Sequence, residues 1–478
     1  MEFLYTLPPH KRALDTKWVF KLKKNGNGSL DKYKGRIVAK GFLQRPGIDY
    51  TETFAPGTQL SSLRVLLVLA AAHNLNLTHI DVKTAFLNSS LNEEIYIKLP
   101  EGVKTKEGHH YAKLLKSIYG LKQAAHDWNQ CLDSFLKKFD QRLRRSVIEP
   151  TLYFIFTEEL VVLILTHVDD CIIASNNQHW VQKFTTALNT EYGINLLGDL
   201  KHFMQMSIAF DNNQITISQQ RTIEELAIEY HLENCKPNTL TPMASNLDLV
   251  HFDEFDPNLP YRNLLGSLLW LARGTRPDIS FAVGYLSQFC HSYGEEHFNA
   301  ARRVLKYLIA TKDRTLVLPK INHKVLTITA YSDSDWAGDK DDRHSMTGTV
   351  ILLNGAPIVW SARKQGIVTT SSTEAEYVAL SETTKDVLYV NNLLNEFTTV
   401  AKPTYIFVDN SGAIAIASKN LNNQRTKHID VRYHHVRDWV QSKVVQVEKI
   451  GTIDNLADLF TKPLPTQLHQ HHALTLVR

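Results

Sequence analysis

The chain has 478 residues, enough for about three domains. Its 43% hydrophobic and 21% charged residues are globular usage, which excludes a disordered or fibrous protein. A net charge of +4 with 21 neutral histidines is only mildly basic, so whole-chain charge does not reveal a polyanion partner, though a groove could still be locally basic.

The cysteines Cys131, Cys171, Cys235 and Cys290 have no C-x-x-C spacing and read as reduced, intracellular thiols rather than a disulfide frame or zinc site. No uncharged apolar run reaches the roughly 18 residues of a membrane span, and the first residues lack a secretory apolar core.

In chain order, residues 17–24 and 33–42 flank Asn25-Gly26-Asn27-Gly28-Ser29, a strong signal for a β-hairpin. Lys32, Lys34, Arg36 and Lys40 decorate it; on charge alone this is as readily a solvated ribbon as a functional face. Residues 60–73 are apolar almost all round and predict a buried helix, with Ser61 or Ser62 as N-cap. An apolar strand then ends at Asp81. Phe86 follows five residues later and, taken by itself, reads equally as a core aromatic. Residues 94–98 alternate as a strand. Gly120 lets backbone approach a ligand closely, Gln123 can hydrogen-bond a nucleotide or base, and an amphipathic helix runs through Trp128, Leu132 and Leu136.

Residues 161–165 and 171–174 are apolar and predict a hairpin with Asp169 and Asp170 at its tip. Acids at a turn satisfy local hydrogen bonds, but two adjacent carboxylates repel, and a cation between them relieves the repulsion. Asp81, at the end of another strand, favours the cation. Three acids at neighbouring strand ends make a site for two magnesium ions, suited to phosphoryl transfer.

A helix is expected over 180–192, a short strand over 215–219 and a helix over 221–230. Residues 235–260 read as a linker and 261–271 and 281–308 as mainly helical, separated by Gly274-Thr275-Arg276-Pro277-Asp278. Arg302, Arg303, Lys306 and Lys312 make a basic face that is more readily solvated than functional. From 325 strands return. One ends at Asp333, with Asp335 a rival; residues 347–353 and 357–361 follow as antiparallel strands. A Ser/Thr-capped helix carries Glu376, a strand over 404–410 ends with Asp409, and a last helix opens around Asp458. Each of these acids also has a plain account as a cap or a helix-dipole partner.

Taken together, D-V-K-T-A-F-L, S-I-Y-G-L-K-Q-A and H-V-D-D resemble, in order, the signature of a reverse transcriptase from a copia-type long-terminal-repeat retrotransposon. K-W-V-F-K-L-K, Y-K-G-R-I-V-A-K-G-F, I-D-Y-T-E-T-F-A-P, T-R-P-D-I-S-F-A-V, S-S-T-E-A-E-Y and A-D-L-F-T-K-P-L-P extend the likeness over roughly residues 17–465. The resemblance implies an α+β and α/β multidomain chain, the C-terminal part of a polyprotein. A right-hand polymerase of fingers and palm (1–240), then a linker and helical thumb or connection region (241–323), would precede a ribonuclease H-like domain with a mixed sheet (324–465) and a tail (466–478).

It further implies that Asp81, Asp169 and Asp170 hold the polymerase metals, and that Asp333, Glu376, Asp409 and Asp458 hold those of the nuclease, two Mg2+ or Mn2+ ions per site. Lys34, Arg36, Lys40, Gly120 and Gln123 would hold template or nucleotide, and Phe86 would exclude a 2′-hydroxyl. RNA template, DNA primer, RNA–DNA hybrid and deoxynucleoside triphosphates would be the partners, with no membrane, in cytoplasmic virus-like particles or the nucleus. His428, His434 and His435 would lie in a loop near the nuclease site. The chain departs from the family pattern at Ala125, His126, His167 and Gln205, where Pro, Arg, an aromatic and Gly are usual. A decayed or co-opted element that binds nucleic acid without polymerising is the alternative reading.

Overall fold

The computed structural model describes residues 1–24, 30–103, 105, 108–211, 214–235, 238–252, 254–319, 325–418 and 430–478. Strands β1 (Glu2–Leu4) and β2 (Ala13–Leu14) lead to the ribbon β3 (Thr16–Lys24) and β4 (Leu30–Ala39), then helix α1 (Leu60–Ala72). Next come β5 (Asn76–Val82), β6 (Tyr96–Lys98), β7 (Tyr111–Lys113), α2 (Ala124–Phe139), β8 (Arg144–Arg145) and β9 (Leu152–Phe156). They are followed by β10 (Val161–His167), β11 (Asp170–Ser175), α3 (Gln178–Tyr192) and β12 (Ile194–Asp199). β13 (His202–Phe203), β14 (Met206–Phe210), β15 (Gln214–Ser218) and α4 (Gln220–Glu229) precede helices α5 (Tyr261–Gly274), α6 (Ser280–Ser287) and α7 (Glu295–Ala310). The last stretch holds β16 (Leu316–Pro319), β17 (Ile328–Asp335), β18 (Met346–Leu353), β19 (Ala356–Lys364) and α8 (Ser372–Asn395). It closes with β20 (Thr404–Val408), α9 (Ser411–Ser418), α10 (Asp430–Gln441), β21 (Val445–Lys449), a 3-10 turn Leu456–Phe460 and α11 (Thr466–Leu476).

These elements form two compact units, Met1–Thr58 with Asn76–Asp199, and Gln59–Leu75 with Leu200–Arg478. The first is built on an antiparallel six-stranded sheet in the order β12-β5-β11-β10-β9-β8. Its apolar strands pack against α2 and α3 through Trp128, Leu132, Leu136, Ile164, Ile173 and Phe184. The ribbon β3–β4 has two unlike faces because directly paired residues share a side. Trp18 pairs with Ile37, Phe20 with Gly35 and Leu22 with Tyr33, while Val19 pairs with Arg36 and Lys21 with Lys34. The ribbon is seated at its base, where Ala39 N–H donates to Tyr119 O at 2.9 Å. Gly120, with φ +95°, comes so close that a Cβ there would lie 2.1 Å from Ala39 O. The close approach expected of Gly120 is therefore to strand β4.

The second unit carries a helical core around Tyr261, Leu264, Leu268, Leu286, Val304 and Leu308. Residues 235–260, expected as a linker, have no helix or strand among those described, but Met243 and Leu249 are buried in that core. Arg276 and Asp278 form a buried ion pair at 2.6 Å, and Tyr307 OH donates to Asp278 at 2.7 Å, so this separator between helices fastens α7. A mixed five-stranded sheet follows in the order β19-β18-β17-β20-β21, with β20 parallel to β17 and β21 parallel to β20. α8 packs on this sheet, and Ser371 caps it by accepting from Glu374 N–H at 3.2 Å. Among the described residues no helix is long and apolar enough to cross a membrane.

Helix α1 is buried over residues 62–71, as expected, but Gln59 stands at its N-cap and no side chain caps it; Ser61 and Ser62 already lie within the first turn. What ties this segment to the second unit is Arg64. Its guanidinium donates to the carbonyls of Ile358 at 2.9 Å, Gly274 at 2.7 Å and Arg273, and lies 3.8 Å over the Trp360 ring. Burial pulls the guanidinium down to about 9, still charged at neutral pH. Arg64→Met would leave three carbonyls bare, so it should cost about 2–4 kcal/mol, read as a lower unfolding temperature. A loss under about 0.5 kcal/mol would mean that those carbonyls find other donors.

Candidate functional sites

The first acid cluster is set by strand register. His167 faces Asp170 across β10–β11, leaving Val168 and Asp169 as a two-residue turn. Asp170 in turn faces Asp81 across β11–β5, and Asp81 faces Asn195 across β5–β12. Pairing thus delivers Asp81, Asp169 and Asp170 to the same end of the sheet's interior strands. The main chain locks the join, with Val82 N–H donating to Asp169 O at 2.7 Å. Burial, helped by the Asp170 and Asp81 charges, raises the Asp169 pKa, while Lys34 pulls the other way.

Two residues absent from the sequence reading hold these acids. Asn195 Nδ2 donates to Asp81 Oδ2 at 2.8 Å, and the buried His79 ring lies with Nε2 3.3 Å from Asp170 Oδ1. Only cross-strand register exposes them, since neither lies within four residues of Asp169 or Asp170.

The predicted binding residues separate. Lys34 and Arg36 share the basic face of the ribbon, and Arg36 stacks over Tyr119 at 4.9 Å. Lys40 stands apart and is drawn to Asp15 at 3.8 Å. Phe86 is half-buried and packs on Tyr119 with centroids 4.9 Å apart. Gln123, expected to reach a nucleotide or base, is instead 1% exposed. Its carboxamide accepts from Gln44 at 2.9 Å and donates to Asp49 O at 3.0 Å and to Glu93 at 3.2 Å. Those groups consume its hydrogen-bonding capacity within the chain. His126, in the departed position, sits 2.7 Å from Phe54 O. Gln205, where the resemblance leads one to expect Gly, has φ +63°, a conformation easiest for glycine.

The second cluster is tighter. Carboxylate oxygens of Asp333, Asp409 and Asp458 all lie within 4.8 Å of one another, the only three such side chains among the described residues to close to that spacing around a potential metal position. Asp333 comes from β17, Asp409 follows β20, and Asp458 lies on the 3-10 turn. Gly348, opposite Asp333, lets that turn close in: a Cβ there would meet Ala457 O at 2.5 Å. Asp335 stands outside the set, its carboxylate tucked against Gly338.

Glu376, from α8, is 6% exposed, and its Oε2 has no hydrogen-bond partner. Burial first, then the Asp333 and Asp409 charges, push it up to about 9. Asp458 is pushed up to about 7 by burial and by Asp333, against Lys462, whose ammonium lies 3.0 Å from it. An orphaned carboxylate oxygen beside three converging acids fits a divalent cation, which would supply the missing positive charge. Of the three loop histidines, His428 lies outside the described residues. His434 and His435 fall on helix α10 rather than in a loop, and burial lowers the His435 pKa near Lys385, Asp438 and Glu382.

Residues 3–245 match the family model described as reverse transcriptase (RNA-dependent DNA polymerase). The chain is 37% identical over 474 residues to the retrovirus-related Pol polyprotein from transposon TNT 1-94 of Nicotiana tabacum, covering 97% of this chain and 35% of that one. It is also 37% identical over 470 residues to the Pol polyprotein from transposon RE1 of Arabidopsis thaliana, covering 98% and 32%. A putative transposon Ty5-1 protein of Saccharomyces cerevisiae is 36% identical over 314 residues, 64% of this chain and all of that one. The chain spans about a third of the length of the plant polyproteins it matches.

Glu376 yields a pH dependence. Its folded pKa, about 9, lies above the ordinary 4.5, so the folded chain keeps a proton that the unfolded chain releases. The stability it contributes is fully present below about 4.5 and is lost as pH rises toward about 9. Without divalent ions, the unfolding temperature should fall between pH 5 and 9, and Glu376→Gln should flatten that fall. An unchanged slope in Glu376→Gln would locate the dependence elsewhere.

Proposed function

Because this chain belongs to the reverse transcriptase family of copia-type retrotransposon Pol polyproteins, we propose that it copies RNA into DNA at Asp81, Asp169 and Asp170 and cuts the RNA of the resulting hybrid at Asp333, Glu376, Asp409 and Asp458. The observation that carries the reading is the convergence of the acids: one set brought to the same strand ends by pairing of β5 with β11, and Asp333, Asp409 and Asp458 of the other closed to 4.8 Å. In this reading residues 1–240 are fingers and palm, 241–323 a linker and thumb or connection, and 324–465 a ribonuclease H-like domain. The order β19-β18-β17-β20-β21, with three antiparallel strands and then two parallel ones, supports the last assignment.

Mg2+ or Mn2+ held by these carboxylates would stabilise charge on phosphate oxygens and acidify the attacking hydroxyl or water. The chain's own part is placement. Asp81 and Asp170, steadied by Asn195 and His79, and Asp169 on its turn present carboxylates where a primer 3′-hydroxyl meets the α-phosphate of a deoxynucleotide. The P–O bond to the 3′-oxygen forms as the bond to pyrophosphate breaks. Lys34 and Arg36 offer positive charge to the triphosphate or template, and Phe86, resting on Tyr119, fills the space a 2′-hydroxyl would need. At the second site Asp333, Asp409 and Asp458 converge where a water would attack an RNA phosphodiester. The reading as a nucleic-acid-binding remnant is not favoured, since all seven acids survive in the sequence.

Paired assays test both halves. Asp169→Asn keeps shape and removes charge, so primer extension should fall by several orders of magnitude while hybrid cleavage continues. Glu376→Gln should do the reverse. Loss of both activities in either folded variant would refute two separate sites.

Sugar choice is a further test. Phe86→Ala should admit ribonucleotides, measured as a rise in their kcat/KM relative to deoxynucleotides. An unchanged ratio would make Phe86 a packing residue only.

A further inference from the structure

The turn that carries Asp169 is strained, and one buried side chain holds it. Val168 has φ +58°, a region where a β-branched residue is a true outlier. Its own side chain is 43% exposed, so packing does little to hold it there. The restraint comes through the main chain. Trp128, on α2 and 2% exposed, directs its indole N–H to Val168 O at 2.6 Å. The ring is fixed edge-on to Tyr192, with centroids 5.2 Å apart and planes at 81°. The next carbonyl, Asp169 O, is gripped from the other side by Val82 N–H at 2.7 Å.

Val168 O lies in the same peptide plane as Asp169 N. Fixing that carbonyl therefore fixes the plane from which the Asp169 side chain departs. A buried indole N–H needs an acceptor, and here the acceptor is the one carbonyl whose orientation aims the proposed metal ligand. Strain held at a site by its surroundings is a common means of pre-organisation.

We propose that Trp128 is a positioning residue for Asp169: its indole N–H holds the strained Val168–Asp169 turn in the conformation that aims the carboxylate, without itself touching substrate. This rests on the polymerase reading above.

Trp128→Phe removes the N–H and keeps an aromatic ring. It should lower kcat for primer extension about tenfold or more, because small misplacements at a reacting centre carry large rate factors. The nucleotide KM should change less than about threefold, and hybrid cleavage should be unaffected. Val168→Asn supplies a residue that tolerates positive φ. Added to Val168→Asn, Trp128→Phe should cost less than about threefold in kcat, so the two effects are non-additive. If Trp128→Phe does not fold, benzothienylalanine at position 128 keeps the ring shape and replaces N–H with sulfur; the same loss is expected.

Wild-type kcat in a folded Trp128 variant, or equal losses in both Val168 backgrounds, would overturn the proposal. If the wild-type chain extends no primer, the polymerase reading fails first. The proposal is then decided by unfolding temperature: Val168→Asn should stabilise the wild type more than it stabilises Trp128→Phe, where the turn has already relaxed. Equal stabilisation would overturn it.

Discussion

The pairing of β5 with β11 is the constraint on which the first site depends. Antiparallel register from Asn76–Ser175 to Asp81–Asp170 leaves the carboxylates no choice of neighbour. They are brought together against their mutual repulsion by backbone hydrogen bonds and by burial of the strands between. Ile80, Ile172 and Ile173 are fully buried and Cys171 nearly so. A slip of one residue would swap the faces on which these side chains pack and disrupt both.

The second cluster solves the same electrostatic problem by other means. Its acids come from a strand, the segment after a strand, a helix and a 3-10 turn, so no single register imposes their approach. Lys462 supplies one positive charge, 3.0 Å from Asp458 and 3.7 Å from Asp333, and Thr452 donates to Asp409 at 2.9 Å. Glu376 has neither kind of relief at Oε2 and keeps its proton instead. Around the first cluster the side chains that meet the acids are Asn195 and His79; around the second, Lys462 adds a positive charge.

The acids stood out in the sequence because they lie near the ends of apolar strands or in the first turns of capped segments, although Asp458 falls on a 3-10 turn where a helix was expected. The partners did not. Arg64 binds main-chain carbonyls, which leave no trace in side-chain identity. Asn195 and His79 matter only through the strands they face. Gln123 and Gly120 stood out as a motif, yet their contacts run to Gln44, Asp49 and Ala39, some 74–81 positions away, and turn them inward. Asp333 and Asp335 could be ranked only once the turn bearing Asp458 was seen to close over Gly348.

The ribbon β3–β4 has a consequence of its own. A two-stranded hairpin is barely stable in water by itself, and this one exposes Phe20 by 77% and Tyr33 by 78%. It is tied down at its root, through Ala39 and through the Trp18 indole donating to Glu101 O at 3.0 Å. If a polyanion binds Lys34 and Arg36 as proposed, it would also restrict the arm that carries them. Part of the contact energy would go into that ordering, so a measured affinity would understate the strength of the contacts made. Ligands that engaged only part of the arm would lose that ordering as well as a few contacts, so the arm would select on ligand length and shape as much as on charge.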